Sequence, residues 1–116
     1  MVIIVKVDKE LSKGSHEIII LKMLSRKDMY GYQLIQEMEM LTDGVFSMSQ
    51  GSLYPLLHLL EKRKLIDSYE KMCEGRKRRY YRLTNEGKAA LLVKEKEWDK
   101  FTKAVRRVLE GPAYEV

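Results

Sequence analysis

The densest chemistry in this sequence is the run Arg76–Lys77–Arg78–Arg79, placed directly after Gly75 and directly before a pair of tyrosines. Guanidinium groups present forked donors that match phosphate oxygens two at a time, and an ammonium adds a point charge beside them. Upstream, Gln50, Ser52, Tyr54 and His58 are polar positions in an otherwise leucine-rich stretch. A glutamine carboxamide can bridge the edge of an adenine, and a serine hydroxyl can donate or accept. The Tyr54 phenol can reach a phosphate while its ring packs on its own helix. His58, on the outer face of its helix, suits a DNA-facing or simply exposed role better than metal ligation.

Catalytic chemistry finds less support. His16 and His58 lie far apart, and there is no HExxH pair, nucleophile elbow, phosphate-binding loop or dinucleotide fingerprint. Cys73 is the single cysteine, which excludes an internal disulfide and a site built from several thiolates. No histidine–asparagine or second-cysteine pattern accompanies it. Neither an enzyme, nor a metal site, nor a cofactor is expected.

The charge balance agrees with the basic run. Of the 116 residues, 34% are charged and 45% hydrophobic, a globular composition, and the net charge is +5. Residues 60–84 carry nine Lys/Arg against four Asp/Glu, which equals the excess of the whole chain. Such concentration is the footprint of a polyanion-binding surface. No apolar run approaches the roughly 18 residues that span a bilayer, and the N-terminal VIIV is too short for a secretion signal. With one cysteine, the simplest expectation is a reducing, cytoplasmic location and no membrane partner.

The elements that must position these groups follow from periodicity. Residues 1–10 are a tail in which Val2, Ile3, Ile4 and Val5 fit a short strand, a packed segment or a loose one equally. Leu11–Arg26 reads as a first helix capped by Ser12 or Ser15, with Ile20, Leu21 and Leu24 on its buried face. A second helix begins near Met29 or Tyr30 and buries Leu34, Ile35, Met38 and Leu41. Gly31 in its first turn weakens it, which a close backbone approach by a neighbouring helix would explain. Thr42–Asp43–Gly44 is a turn signal.

The third helix is capped by Ser47, Ser49 or Ser52. With Ser52 as cap, Pro55 sits harmlessly in the first turn; with Ser49, it removes one hydrogen bond. Leu53, Leu56, Leu57 and Leu60 form the inner face and leave Gln50, Tyr54, His58, Glu61 and Lys62 outside. Leu65–Tyr69 and Arg79–Leu83 read as strands of a hairpin turning at Glu74–Gly75. Thr84 is the N-cap of a last helix reaching about Leu109, where Gly111–Pro112 stops it. That helix places Leu91, Trp98 and Val105 seven apart, with Phe101 and Val108 seven apart between them. These are heptad seam positions, interrupted by Lys94, and they ask for a partner helix.

Three segments, YGYQL (30–34), GSLYPLLHLLEKRKLI (51–66) and GRKRRYYRLT (75–84), closely resemble the PadR family of bacterial winged-helix transcriptional regulators. With the last helix the likeness covers about residues 11–110, and the single C-terminal helix looks like the family's smaller subfamily. The resemblance implies a homodimer on a pseudo-palindromic double-stranded DNA operator, most often acting in repression. It implies DNA contacts from Gln50, Ser52 and Tyr54, and a wing formed by Gly75, Arg76 and Arg78. Lys77 stands where many relatives carry proline, so the wing here is less restrained. Some members enclose a planar hydrophobic effector between dimer-related C-terminal helices, and Trp98 could stack on one; its plainer role is in the dimer seam.

The expected fold is therefore mainly α (α+β): a winged helix-turn-helix over residues 11–84 with a two-stranded wing, then a long dimerisation helix over 85–110 and a tail at 111–116. The expected function is a sequence-specific DNA-binding repressor. The alternatives are an antirepressor or other interaction module docking through the C-terminal helix, and an RNA-binding winged helix.

Overall fold

In the computed structural model, which describes Val2, Ile3 and residues 5–112, the chain forms five helices and three strands. α1 (Lys9–Lys13) and α2 (His16–Arg26) take the place of the single helix expected from Leu11. Asp8 caps α1 by accepting from the Glu10 N–H at 2.7 Å, so the helix begins earlier than its apolar pattern suggests. The buried Ser15 then turns its hydroxyl back to the Ser12 carbonyl at 2.7 Å instead of capping α2, and the chain breaks there. Val2, Ile3 and Val5 are exposed and form no strand; Ile4 lies outside the described residues, as do residues 113–116 of the C-terminal tail.

Met29 and Tyr30 are β1, not the start of a helix, and pair antiparallel with Tyr81 and Tyr80. α3 (Gly31–Leu41) follows at once. Gly31 is explained by a side chain and not by a helix backbone: a Cβ there would meet the Tyr54 hydroxyl at 2.5 Å. Leu34 and Met38 are buried and Ile35 packs partly beneath them, but Leu41 is 60% exposed. Leu41 is the last residue of α3, which Thr42 closes by bonding back to the Met38 carbonyl at 2.8 Å.

α4 (Gln50–Lys62) is capped by Ser49, whose oxygen accepts from the Ser52 N–H at 3.2 Å. Pro55 consequently lies inside the helix and costs one backbone bond. Leu53, Leu57 and Leu60 are fully buried, with Leu56 only partly so. Their burial holds the opposite face of α4 outward.

β2 (Ile66–Cys73) and β3 (Arg76–Leu83) run longer than expected, out to a two-residue turn at Glu74–Gly75. Both turn residues have positive φ, 52° and 75°, the geometry that matches the twist of paired strands. Lysine and arginine carry weak strand preference, so the tip is set by turn and register. The wing is two-stranded as expected, but β1 joins it to make a three-stranded antiparallel sheet in the order β1-β3-β2. The register sends Ile66, Tyr81 and Leu83 to the core and Tyr69, Tyr80 and Arg82 to the outer face.

Thr84 caps α5 (Asn85–Glu110), accepting from the Gly87 N–H at 3.0 Å and donating to the Lys64 carbonyl at 2.7 Å. The first turns of α5 lie along α2, where Leu91 is buried and the ion pairs Lys22–Glu95 (3.0 Å) and Lys94–Glu17 (3.1 Å) close the seam. Lys94 interrupts the heptads because its place faces α2 of its own chain. From Lys96 to Pro112 every residue except Thr102 is exposed. No described helix is long and apolar enough to cross a membrane.

Candidate nucleic-acid interface

The sheet order leaves the tip half of β3 without a strand on its β1 side, since β1 pairs only with Tyr80 and Tyr81. That open side, the start of α3 and the outer face of α4 enclose a cleft of about 600 Å³. Gln50, Tyr54 and His58 reach it from α4, four residues apart and so stacked on one helix face. Arg76, Arg78 and Arg79 reach it from β3, Tyr30 from β1 and Tyr32 from the start of α3. Among the described residues, no carboxylate lines this cleft. Its chemistry is that of an anion site walled by aromatic rings and flanked by uncharged hydrogen-bonding groups.

Each group is held differently. Tyr54 is half-buried, its ring against the core and its hydroxyl over Gly31, so it is anchored and not free to swing outward. Gln50 opens α4 directly after the cap, beside the free N–H groups of the first turn, which favour negative charge. His58 is exposed. Arg78 folds back so that its guanidinium lies 4.4 Å from the centre of the Tyr30 ring. Its Nε is buried and meets no acceptor in the protein, which leaves the donor capacity of the group partly unused.

The outer face of the sheet carries a tyrosine row that sequence reasoning missed. Tyr69 stacks on Tyr80 with ring centres 5.7 Å apart, and Tyr30 meets Tyr80 edge-on at 5.4 Å. Arg82 lies 5.0 Å over Tyr69 and pairs with Asp67 at 2.9 Å. The Tyr69 hydroxyl donates to Asp28 at 2.6 Å, and this bond, ahead of burial and the Asp28 charge, raises its pKa above the ordinary phenol value. Tyr80 is pushed up to about 12, first by hydrogen bonding with Cys73 and then by burial. This row stiffens the root of the wing.

Of the residues singled out from sequence, Gln50, Tyr54, His58, Arg76 and Arg78 thus converge on one cleft. Ser52 lies apart, exposed beside Ser49 at an oxygen separation of 3.3 Å. Gly75 forms the turn, and Lys77, on the same face of the hairpin as Arg79, lies 3.8 Å from Glu70 and does not line the cleft. Tyr30 and Tyr32 also belong to the cleft, as does Arg79, which the basic run includes but the expected DNA contacts do not. The tyrosines flank Gly31 in a stretch read as helix, and Arg79 was counted as strand although it closes the basic run.

Away from the cleft, Leu91 is part of the core, whereas Trp98, Phe101, Val105 and Val108 are 44%, 62%, 40% and 81% exposed. Trp98 and Phe101 pack obliquely with ring centres 6.5 Å apart. Among the described residues, no three His, Cys, Asp or Glu side chains gather as metal ligands.

This arrangement of helices, hairpin and protruding terminal helix recurs in known proteins. The chain matches the Transcriptional regulator PadR-like family over residues 20–93. It is 35% identical over 106 residues to an uncharacterized protein of Lysinibacillus sphaericus, covering 90% of this chain and 97% of that one. It is 32% identical over 106 residues to the transcriptional regulator Rv3488 of Mycobacterium tuberculosis, covering 91% and 94%. The crystal structure of a PadR-like transcriptional regulator from Bacillus cereus superposes with a TM-score of 0.80 at 33% identity, covering 90% of this chain and all of that one. A winged helix with these relatives, matched across the cleft and the start of α5, is a transcriptional regulator of the PadR-like family.

Proposed function

We propose that the protein is a sequence-specific, homodimeric DNA-binding repressor of the smaller PadR subfamily. The observation that carries this reading is the convergence of Gln50, Tyr54 and His58 with Arg76 and Arg78 on one carboxylate-free cleft. In it, α4 enters the major groove with Gln50 and Ser52 at the base edges, and the wing arginines hold flanking phosphates. Phosphate contacts set affinity and salt dependence, while base-edge contacts set sequence preference.

The dimer is supported by the apolar stripe of α5. Trp98, Phe101, Val105 and Val108 repeat at heptad spacing along a segment that has no packing partner in its own subunit. Pairing these stripes places two α4 helices on a pseudo-palindromic operator, with half-sites one helical turn apart, ~34–36 Å. Footprinting the purified protein on the DNA upstream of its own gene is the decisive test. Two protected half-sites at that spacing, with repression of a linked reporter, are the expected result; no protected site at physiological salt sinks the reading.

A planar hydrophobic effector is proposed to sit between the paired α5 helices, stacked on Trp98. Its expected signature is quenching of the emission of this single tryptophan by flat aromatic compounds, together with release of DNA. Unchanged emission across such compounds removes the effector from the scheme and leaves the repressor standing.

A further inference from the structure

Glu61 occupies an unusual place. It lies in the last turn of α4, where the helix dipole disfavours a negative charge. It also borders the surface assigned above to DNA, where an acid repels phosphate. Neither helix stability nor phosphate attraction accounts for it, but its hydrogen bonds do.

The Ser68 hydroxyl, on the inner face of β2, donates to Glu61 Oε2 at 2.7 Å. Arg79 Nη1, on β3, donates to the same Ser68 oxygen at 3.0 Å. A hydroxyl has one proton and two lone pairs, so this pattern fixes its direction: it must donate to the carboxylate and accept from the guanidinium. Arg79 lies directly across from Glu70 in the strand pairing, yet the ion pair of Glu70 is with Lys77 at 3.8 Å. Glu61 and Ser68 are half-buried, whereas Arg79 is exposed at the cleft. The anion therefore sits beneath the surface and the cation on it, with a hydroxyl joining them. Burial first and the Glu61 charge second raise the pKa of Tyr81, which lines the cleft.

We propose that Arg79 is a phosphate-contacting residue of this cleft, and that Glu61, acting through Ser68, is the positioning residue that fixes Arg79 relative to α4. The proposal rests on the DNA-binding reading above. An exposed arginine is otherwise free to sample many rotamers, and ordering it on binding costs affinity. The chain from α4 through β2 to β3 orders it beforehand and couples the height of the wing to the recognition helix.

The sign of one substitution separates this from plain electrostatics. Removing an acid beside a polyanion site strengthens binding if charge alone matters, whereas loss of a positioning contact weakens it. The probe is a mixed-sequence 30-base-pair duplex, with binding read by fluorescence anisotropy across a salt series. Arg79→Ala is expected to weaken binding about tenfold and to lower the slope of log K against log salt by about one, the signature of one lost phosphate contact. Glu61→Ala and Ser68→Ala are expected to weaken binding by about threefold to tenfold at unchanged slope, since the contact still forms but must first be ordered. Glu61→Gln keeps an acceptor for Ser68 and is expected to bind at least as tightly as the wild type. In the Arg79→Ala background, Glu61→Ala is expected to add nothing, whereas a merely structural role makes the losses add.

Tighter or unchanged binding by Glu61→Ala, or wild-type binding by Ser68→Ala, overturns the positioning role. Wild-type affinity and slope for Arg79→Ala overturn the contact, and both results leave the DNA-binding reading intact. A wild-type protein that binds no duplex removes both together.

Discussion

Gly87→Ala is expected to lower the thermal midpoint by roughly 10 °C or more, by the usual relation between destabilisation and melting temperature in a domain of this size. The sign is the notable part, because alanine in a helix ordinarily stabilises by about 1 kcal/mol relative to glycine. Gly87 is buried in the first turn of α5, where a Cβ would run into the Leu65 carbonyl oxygen and come within 2.6 Å of Leu83 Cδ1. The Leu65 carbonyl cannot retreat freely, since it accepts from the Thr84 N–H at 3.1 Å, and Thr84 is itself bonded to the Lys64 carbonyl. The clash falls on backbone held from both sides, and overpacking of that kind costs about 3 kcal/mol. Gly51→Ala is the matched control: its Cβ would meet nothing nearer than Ser49 Oγ at 3.7 Å. A melt followed by circular dichroism should show Gly87→Ala well below the wild type and Gly51→Ala level with it or above. A rise for Gly87→Ala would mean that the first turn of α5 does not press against the Leu65 carbonyl as described.

Replacing Arg76 and Arg78 together by alanine is expected to weaken duplex binding about 100-fold at physiological salt, as two charge-assisted contacts are lost. The slope of log K against log salt should fall by about two, since each neutralised phosphate contributes about 0.9. The fold should survive. Arg76 is exposed, and Arg78 contributes to stability chiefly through its place over Tyr30, a contact worth about 1 kcal/mol or less at such a site. Anisotropy titrations at several salt concentrations, with a melt as control, check both parts. Binding at wild-type strength would exclude the wing as the polyanion contact. It would favour the alternative in which this fold docks on another protein through α5.

What could be read from sequence was local. The leucines of α4 recur at helical spacing, so the outward face carrying Gln50 and His58 was legible from periodicity alone, whereas the packing of Tyr54 over Gly31 was not. Thr84 announced the start of α5, and the concentration of cations near Gly75 announced the wing. What escaped was set by distant partners. Met29 and Tyr30 are extended because β3 lies beside them, and a two-residue strand has no period to detect. The break before α2 depends on where the Ser15 hydroxyl turns. Alternation along β3 separates Arg76 and Arg78 from Lys77 and Arg79, and only the packing of the hairpin beside α4 brings Arg79 to the cleft and leaves Lys77 out of it. Gly31 signalled a close approach, but that the approach came from Tyr54 required the packed helices. Leu91 fits the heptads of α5 as well as Trp98 does, and only the position of α2 assigns it to the core.

The unpaired flank of β3 has a further consequence, for solubility. A strand with open backbone donors and acceptors is a template on which another chain can add itself, and edges of this kind seed aggregation unless something blocks them. β1 protects this flank only at Tyr80 and Tyr81, and the stretch it leaves open is Arg76–Lys77–Arg78–Arg79. Four cations in succession make stacking against a second copy of the same segment strongly repulsive, which is how gatekeeper charges act beside strands that cannot be covered. The residues proposed to hold DNA therefore also keep the wing of one molecule from joining that of the next while the protein is free. Neutralising several of them at once removes that barrier along with the phosphate contacts.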